Sequence, residues 1–430
     1  MKTKCRVNIV IPNWNGMKWL PECLQALFAQ DFLEFDVTVI DNGSEDGSID
    51  WMIQEYPQIN LIRNESNRGF AVAVNQGIAA TQAEYVVLLN TDTKPRKNWL
   101  RLLVEYMDKA DANLGAVASK MLLYSNESLI ENAGDILSWY GETLKRGYGE
   151  NANGGGATTV LPPTPAPGLS GENVTSQKDA TGREDFPTYN KKCKDVGWET
   201  FPTEKKKSKE VGWETFPTEN VIEKSRESGF ARYEKTTALP PTLAPDVTGE
   251  NGFTEDIEVF SVCAGAALYR RSCLDAVGGF DERFFAYLED VDFGLRARIL
   301  GYRSEYVASA QILHHGHASG LKKASYVRLV ARNRILLFFK NIPANLLWRN
   351  VHRLLYGQWY FMLVYRHPLA YLRGVIEALI LLPRSRCECK ALWERSKLTP
   401  DALEKLIIAT KDIKPIRTAL LDILKKLARL

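Results

Sequence analysis

Several devices that would make the sequence easy to classify are missing. No uninterrupted apolar run reaches the roughly 18 residues needed to cross a bilayer. The best run, residues 375–382, is short and stands between Arg373 and Pro383. The seven cysteines include no Cys-x-x-Cys pair, and their odd number argues against a complete disulfide framework. A reducing compartment is therefore expected. Residues 1–6 are basic but run straight into the strand-like VNIVIP, without the apolar core of a signal peptide. A net charge of +3 is close to balance and gives no argument for nucleic acid. These absences point to a cytoplasmic protein, and 430 residues are enough for two or three domains.

What the sequence does have is alternation. Short apolar runs at 7–11, 36–40, 59–62 and 85–89 read as strands. Between them, helical spacing marks 19–28, 49–55 and 70–80, with Pro21 a good first-turn residue. Such alternation predicts an α/β fold with a parallel sheet covered on both faces, whose ligands bind beyond the carboxyl ends of the strands. Asn13, Asp41 and Asp92, which end three of these strands, would gather at that edge.

Residues 151–252 break the pattern. They are rich in Pro, Gly, Thr, Lys and Glu and nearly free of aliphatic runs, and they repeat. Phe-Pro-Thr begins at 186, 201 and 216, and VGWETFPTE occurs at both 196 and 211. One Trp and one Phe per unit is too little burial to offset chain entropy. A disordered, tandem-duplicated insertion is expected, with a binding tether as the alternative. Deleting 152–251 should then leave a folded protein. Globular patterning resumes at 257, and a helix is expected from about Leu288 to Leu300, stopped by Gly301.

The chemical signal is a combination. Asn90-Thr91-Asp92 alone is a common turn. Glu289-Asp290 at a helix start is equally explained by the helix dipole, and His314-His315 by a polar core. In order, however, IVIPNWNG, VIDNGSEDGS, NRGFAVAVNQGI, VVLLNTD and CAGAALYRRSCLDAVGGFDERFFAYLEDVDFGLRARILGYR, followed by ILHHGHASG, resemble the family-two glycosyltransferases, bacterial rhamnosyltransferase-type members especially. The resemblance spans roughly 7–150 and 257–345.

The resemblance implies a GT-A domain, a doubly wound mixed sheet, that transfers a sugar with inversion from a nucleotide-diphosphate sugar to a glycan or lipid-linked acceptor. It implies a divalent cation, Mg²⁺ or Mn²⁺, with Asp92 its principal ligand. Asn90 departs from a full Asp-x-Asp and leaves one carboxylate there. A histidine 24 residues beyond the catalytic acid points to His314, with His315 and His317 as rivals. Asp41 would read the base, with Pro12 and Asn13 beside it. Asn67, Gly69 and Asn75 would lie by the ribose and diphosphate, although turn and helix capping explain them almost as well. Asp290 would be the base that takes the acceptor proton, with Glu289 beside it, while Asp292 is structural. Gly278-Gly279-Phe280 would form the turn that presents the acceptor.

The expected domains are 1–150 and 253–325 for the two parts of the GT-A domain, 151–252 for the insertion, and 326–430 for a C-terminal helical region. From 321 to 390 there are 13 Lys and Arg against Glu377 and Glu388, with eight Phe, Trp and Tyr from Phe338 to Tyr365 interleaved. This composition suits peripheral contact with an anionic membrane at its inner, cytoplasmic face. Packing of the same aromatics on the catalytic domain explains it too. Two other functional classes stay open. A nucleotidyltransferase-like enzyme would need a basic Gly-rich loop that IPNWNG lacks, and an inactive scaffold would bind a partner through its repeats.

Overall fold

The computed structural model describes residues 5–153, 253–316 and 320–408. The 15-residue repeats and His317 lie outside these. Strands and helices alternate through the first half: β1 (Val7–Asn13), α1 (Leu20–Phe28), β2 (Phe35–Asp41), α2 (Ser48–Glu55), β3 (Asn60–Arg63), α3 (Phe70–Ala79), β4 (Tyr85–Leu89), β5 (Thr93–Pro95) and α4 (Trp99–Lys109). Next come β6 (Leu114–Leu123), β7 (Asn126–Asn132), β8 (Asp135–Leu137) and β9 (Thr143–Lys145). The chain resumes with β10 (Ile257–Val259), β11 (Ala266–Arg270), α5 (Arg271–Val277), α6 (Glu289–Ile299) and β12 (Arg303–His314). Four helices follow: α7 (Lys323–Asn341), α8 (Ala344–Tyr365), α9 (Pro368–Glu394) and α10 (Pro400–Leu406).

The main sheet runs β10-β12-β6-β11-β4-β1-β2-β3, with β5 on β12 and β7 on β6. The β3-β2-β1-β4 half is parallel, as the alternation predicted. Strand β11 is antiparallel to both β4 and β6, which makes the sheet mixed. It is the doubly wound mixed sheet expected of a GT-A domain.

Two apolar layers cover it. On one face Leu20, Leu24 and Leu27 of α1 join Trp99, Leu100 and Leu103 of α4. On the other, Ala71 and Val74 of α3 pack with Leu274 of α5, Phe293 of α6 and Leu336 of α7. Each fully buried leucine contributes about 2 kcal/mol to this layering.

The C-terminal helices belong to that second layer. Asp292 of α6, fully buried, accepts from Arg296 Nε at 2.8 Å, Lys340 Nζ at 2.8 and 2.9 Å and Asn341 Nδ2 at 2.8 Å. Burial opposes ionisation here, but Arg296 and Lys340 outweigh it and hold the Asp292 carboxyl below its ordinary range. Asp281, facing Lys340 at 2.8 Å and Arg283 at 2.5 Å, is held well below it for the same reason. The structural role expected of Asp292 is what these contacts describe.

The globular chain runs a little past the boundary drawn at 150. Asn151 bridges Leu129, and the Ala152 carbonyl accepts from buried Lys120 at 2.7 Å. After the insertion, buried Phe253 gives its carbonyl to the Tyr306 hydroxyl at 3.0 Å. Lys120 lies on β6 and Tyr306 on its neighbour β12, so both ends of the insertion are fixed on one strand pair.

Candidate active site

The carboxyl ends of β1 and β2 lie side by side, with Asn13 paired in register to Asp41. The Asn13 amide donates to Asp41 Oδ1 at 3.4 Å, Ser44 Oγ at 3.1 Å and Ser48 Oγ at 3.1 Å. Asp41 in turn accepts from the Ser44 amide at 3.3 Å. The rigid turn that results borders a cavity of about 320 Å³ lined by Asp41, Gly43, Ser44, Glu45, Arg63, Asn64 and Glu65. A carboxylate, backbone amides and an arginine in one concavity suit a nucleoside. Asn13 supports Asp41 from beneath, and neither it nor Pro12 lines the cavity.

Beyond this cavity the loop before α3 is knitted by asparagines. Asn67 Oδ1 accepts from the Gly69 amide at 2.9 Å, and Asn42 Nδ2 donates to the Gly69 carbonyl at 3.2 Å. Gly69 has φ +88°, and a Cβ there would sit 2.6 Å from Phe285, so only glycine fits. Asn75 lies further along α3 and is spent on structure. Its amide donates to the Phe280 carbonyl at 2.8 Å and accepts from the Phe280 amide at 2.9 Å, bracketing the Gly278-Gly279 turn.

Asn90 and Asp92 follow β4. The Asn90 amide bonds Gly265 O at 2.9 Å, which ties this segment to the start of β11. Asp92 is buried and its Oδ2 lies 3.2 Å from His314 Nε2, at the end of β12. His314 Nδ1 meets Glu131 Oε2 at 2.5 Å, and Glu131 Oε1 meets Lys145 Nζ at 2.6 Å. Burial alone would depress the imidazole, but bonds to Asp92 and Glu131 raise it to about 9. Burial alone would raise Glu131, but His314 and Lys145 bring it down to about 2. His315, the rival, points elsewhere: it stacks on Tyr124 with ring centroids 3.6 Å apart and meets Glu22 at 3.1 Å.

Asp290 stands in the first turn of α6, one residue along the same bridge. Its Oδ2 accepts from the Ala264 amide at 3.2 Å, next to the Gly265 that holds Asn90, and its Oδ1 from the Val291 amide at 2.8 Å. Burial pushes its carboxyl up against these donors. Glu289 is buried and raised further, by burial and by Asp290's charge. Its Oε2 has no hydrogen-bond partner among the described residues. The segment leading into α6 is strained: Phe285, Tyr287 and Leu288 all have positive φ, each at a cost of about 1–3 kcal/mol.

One comparison bears on the first half of this arrangement. Residues 8–150 match the family described as glycosyl transferase family 2. This stretch is similar to the family-2 glycosyltransferases. The glycosyltransferase GlyG of Streptococcus pneumoniae is 25% identical over 111 residues, 25% of this chain and 37% of that protein. An N-acetylglucosaminyl-diphospho-decaprenol L-rhamnosyltransferase of Mycobacterium tuberculosis is 52% identical over 61 residues, 14% of this chain and 20% of that one. The chain thus spans well under half the length of the curated relatives it matches. Among solved structures, GalNAc-T7 with UDP, GalNAc and Mn²⁺ gives a TM-score of 0.48 at 13% identity, covering 92% of this chain and 57% of that one.

The site offers a cation few protein donors. Among the described residues no group of three His, Cys, Asp and Glu is arranged to hold a metal. Asp92 and His314, an oxygen and a nitrogen donor side by side, form a pair. That fits a cation that arrives with its nucleotide, since Mg²⁺ is commonly bound by one or two carboxylates plus substrate phosphates. Glu131 orients the imidazole from its far side, as carboxylates do behind metal-binding histidines.

Sequence reasoning missed Glu131, Lys145 and Asp135. Asp135 accepts from Asn132 Nδ2 at 2.9 Å, and burial together with Asp290's charge pushes it to about 7. No local motif marks these residues; short strands β7–β9 fold them back under the site.

Proposed function

We propose that the chain is an inverting glycosyltransferase that moves a sugar from a nucleotide-diphosphate donor to a glycan or lipid-linked acceptor. The observation that carries this reading is the two-residue bridge Ala264-Gly265, which brings Asp290 within one residue of the Asn90–Asp92 segment. Asp41 and its cavity take the nucleoside, and the loop at Asn67 and Gly69 runs along the diphosphate. Asp92 and His314 would hold Mg²⁺ or Mn²⁺, which neutralises charge on the leaving diphosphate. Asp290 takes the acceptor hydroxyl's proton as its oxygen bonds the anomeric carbon. The bond from that carbon to phosphate breaks, and the nucleoside diphosphate leaves with the electron pair.

The proposal extends to a peripheral contact with an anionic membrane. Leu369, Leu372, Ile376, Leu379 and Ile380 recur at helical spacing on α9, all exposed. Every exposed charge from 366 to 390 is a cation: Arg366, Arg373, Arg384 and Lys390. An apolar stripe fringed by these cations, two of them (Arg373 and Arg384) paired with half-buried Glu377 and Glu388, is what a helix lying in an anionic lipid surface presents. Among the described residues no helix is long and apolar enough to cross a membrane.

The deciding experiment is a donor screen. Nucleoside diphosphate release is followed from a panel of sugar nucleotides, with and without added Mg²⁺ or Mn²⁺. A rhamnosyl nucleotide leads the panel because of the mycobacterial likeness. Acceptor-dependent release from one donor is expected. Release from none, beside tight binding of a nucleoside triphosphate, would favour the nucleotidyltransferase reading instead.

A further inference from the structure

Between the 3₁₀ turn Glu282–Phe284 and α6 the backbone takes a path that side chains resist. The Ala286 amide bonds Phe284 O at 2.7 Å, closing a γ-turn of the strained hand around Phe285 (φ 62°, ψ −64°). Tyr287 and Leu288 then follow with φ of 72° and 68°. Such a path persists only where the surroundings over-determine it.

The four carbonyls from 284 to 287 account for that. Phe285 O accepts from the Phe70 amide, at the start of α3, at 2.6 Å. The other three converge on one side chain. Asn333 Nδ2, on α7, lies 2.9 Å from Phe284 O, 2.9 Å from Ala286 O and 2.8 Å from Tyr287 O. A primary amide has two N–H donors, so three acceptors share them. Asn333 is fully buried, and Arg332 fixes its orientation, with Nε on Asn333 Oδ1 at 3.0 Å and a terminal nitrogen on Phe284 O at 2.9 Å.

We infer that Asn333 is a positioning residue for the reaction: it holds the 284–288 segment in the shape that delivers Asp290 to the acceptor. The inference rests on the assignment of Asp290 as base. Asn333 touches none of the cavity residues around Asp41, and the segment it holds meets the donor side only where Phe285 O accepts from the Phe70 amide and packs on Gly69, so its main effect belongs to turnover. Neither does α7 need it for apolar packing, because Leu329, Leu336 and Leu337 are buried around it. Its polar group serves the loop. A reacting group displaced by about 1 Å loses on the order of a hundredfold in rate.

The experiment compares Asn333→Ala and Asn333→Asp, the latter equal in shape but without the N–H donors, using the full chain. Asn350→Ala on α8 is the structural control. That amide is also fully buried, and it donates to Leu346 O at 3.2 Å and Glu404 at 2.9 Å, away from the 284–288 segment. Both Asn333 variants should lose at least about tenfold in kcat, with donor KM and nucleoside diphosphate affinity within about twofold. Asn350→Ala should lower Tm and keep kcat. The double variant Asp290→Asn with Asn333→Ala should be no slower than Asp290→Asn alone, because a residue acting through another adds nothing once that other is gone.

Wild-type kcat in the Asn333 variants overturns the inference. So does a loss confined to KM, or a double variant slower than Asp290→Asn by the full Asn333 factor. Full activity of Asp290→Asn itself would instead remove the base assignment, and this inference with it. Should Asn333→Ala fail to fold, Asn333→Ser, which keeps one donor, is expected to fall between wild type and Asn333→Asp in kcat.

Discussion

At the scale of single residues, the proposed function separates donor binding from proton removal, and the two can be tested apart. Asp92→Asn removes the carboxylate that pairs with His314 at 3.2 Å. Affinity for the nucleoside diphosphate, by calorimetry with Mg²⁺ or Mn²⁺ present, should fall about tenfold or more, while Tm moves little. Excess chelator should stop turnover of the unaltered protein, and persistence of full activity would remove the cation from the account. Asp290→Asn should keep donor affinity and lose about a hundredfold or more in turnover, the usual worth of a positioned base. Glu289→Gln should cost less, since that carboxyl is buried and burial and Asp290's charge push it well above its ordinary range. A deader Glu289 variant would exchange the two roles. That Asp41 and Asp92 follow strands and Asp290 opens a helix was legible in the sequence, where a carboxylate is visible against an apolar run, whereas the roles proposed for them came from the family resemblance. Glu131 and Asp135 were not. They lie on short strands β7 and β8, where nothing in local spacing tells a buried acid from a solvated one.

Among elements, the helices and strands up to β4 follow the sequence within a residue or two, because burial on one or both faces writes itself into period and run length. The C-terminal helices were harder. Their cations suited an anionic membrane surface, yet Lys340 is buried between Asp281 and Asp292 and welds α7 to α6. Lys340→Met should therefore cost on the order of 3 kcal/mol in denaturant unfolding, because two carboxylates lose a buried partner. The sign with pH follows from the depressed carboxyls. Their stabilisation is full above the ordinary carboxylate pKa of about 4 and is lost as pH falls through the lower folded values. The variant should show a shallower loss below pH 4 than the unaltered chain. On α9, Leu372→Glu with Ile376→Glu should abolish sedimentation with anionic vesicles at low salt and leave solution turnover on a soluble acceptor unchanged. Binding by the unaltered chain should weaken in high salt, as screened attraction does. If α9 instead forms a contact between two copies, the double variant would change the sedimentation coefficient and leave vesicle binding as it was.

For the whole molecule, the sequence separated 1–150 from 253–325 as parts of one domain, and the sheet order explains why neither part is a domain alone. Strands β4 and β6 come from the first, β11 and β12 from the second, and they alternate as β12-β6-β11-β4. That interleaving could not be read from local pattern, since it depends on pairings across a long insertion. The deletion first drawn at 152–251 needs its start moved. Ala152 is buried and held by Lys120, so 154–252 is the span to replace with a short Gly-Ser linker. The shortened protein should melt within about 3 °C of the full chain and keep its turnover, because closure entropy depends only weakly on loop length. A folded but inactive product would assign the repeats to the acceptor site.

The same alternation of strands changes what a broken chain means here. Cut once between 153 and 253, the protein has two pieces that share every hydrogen-bonded ladder from β12 to β4. Such a nicked molecule should elute as one species and separate only under denaturant. A gel showing two bands would then record a covalent scission and no loss of the folded protein.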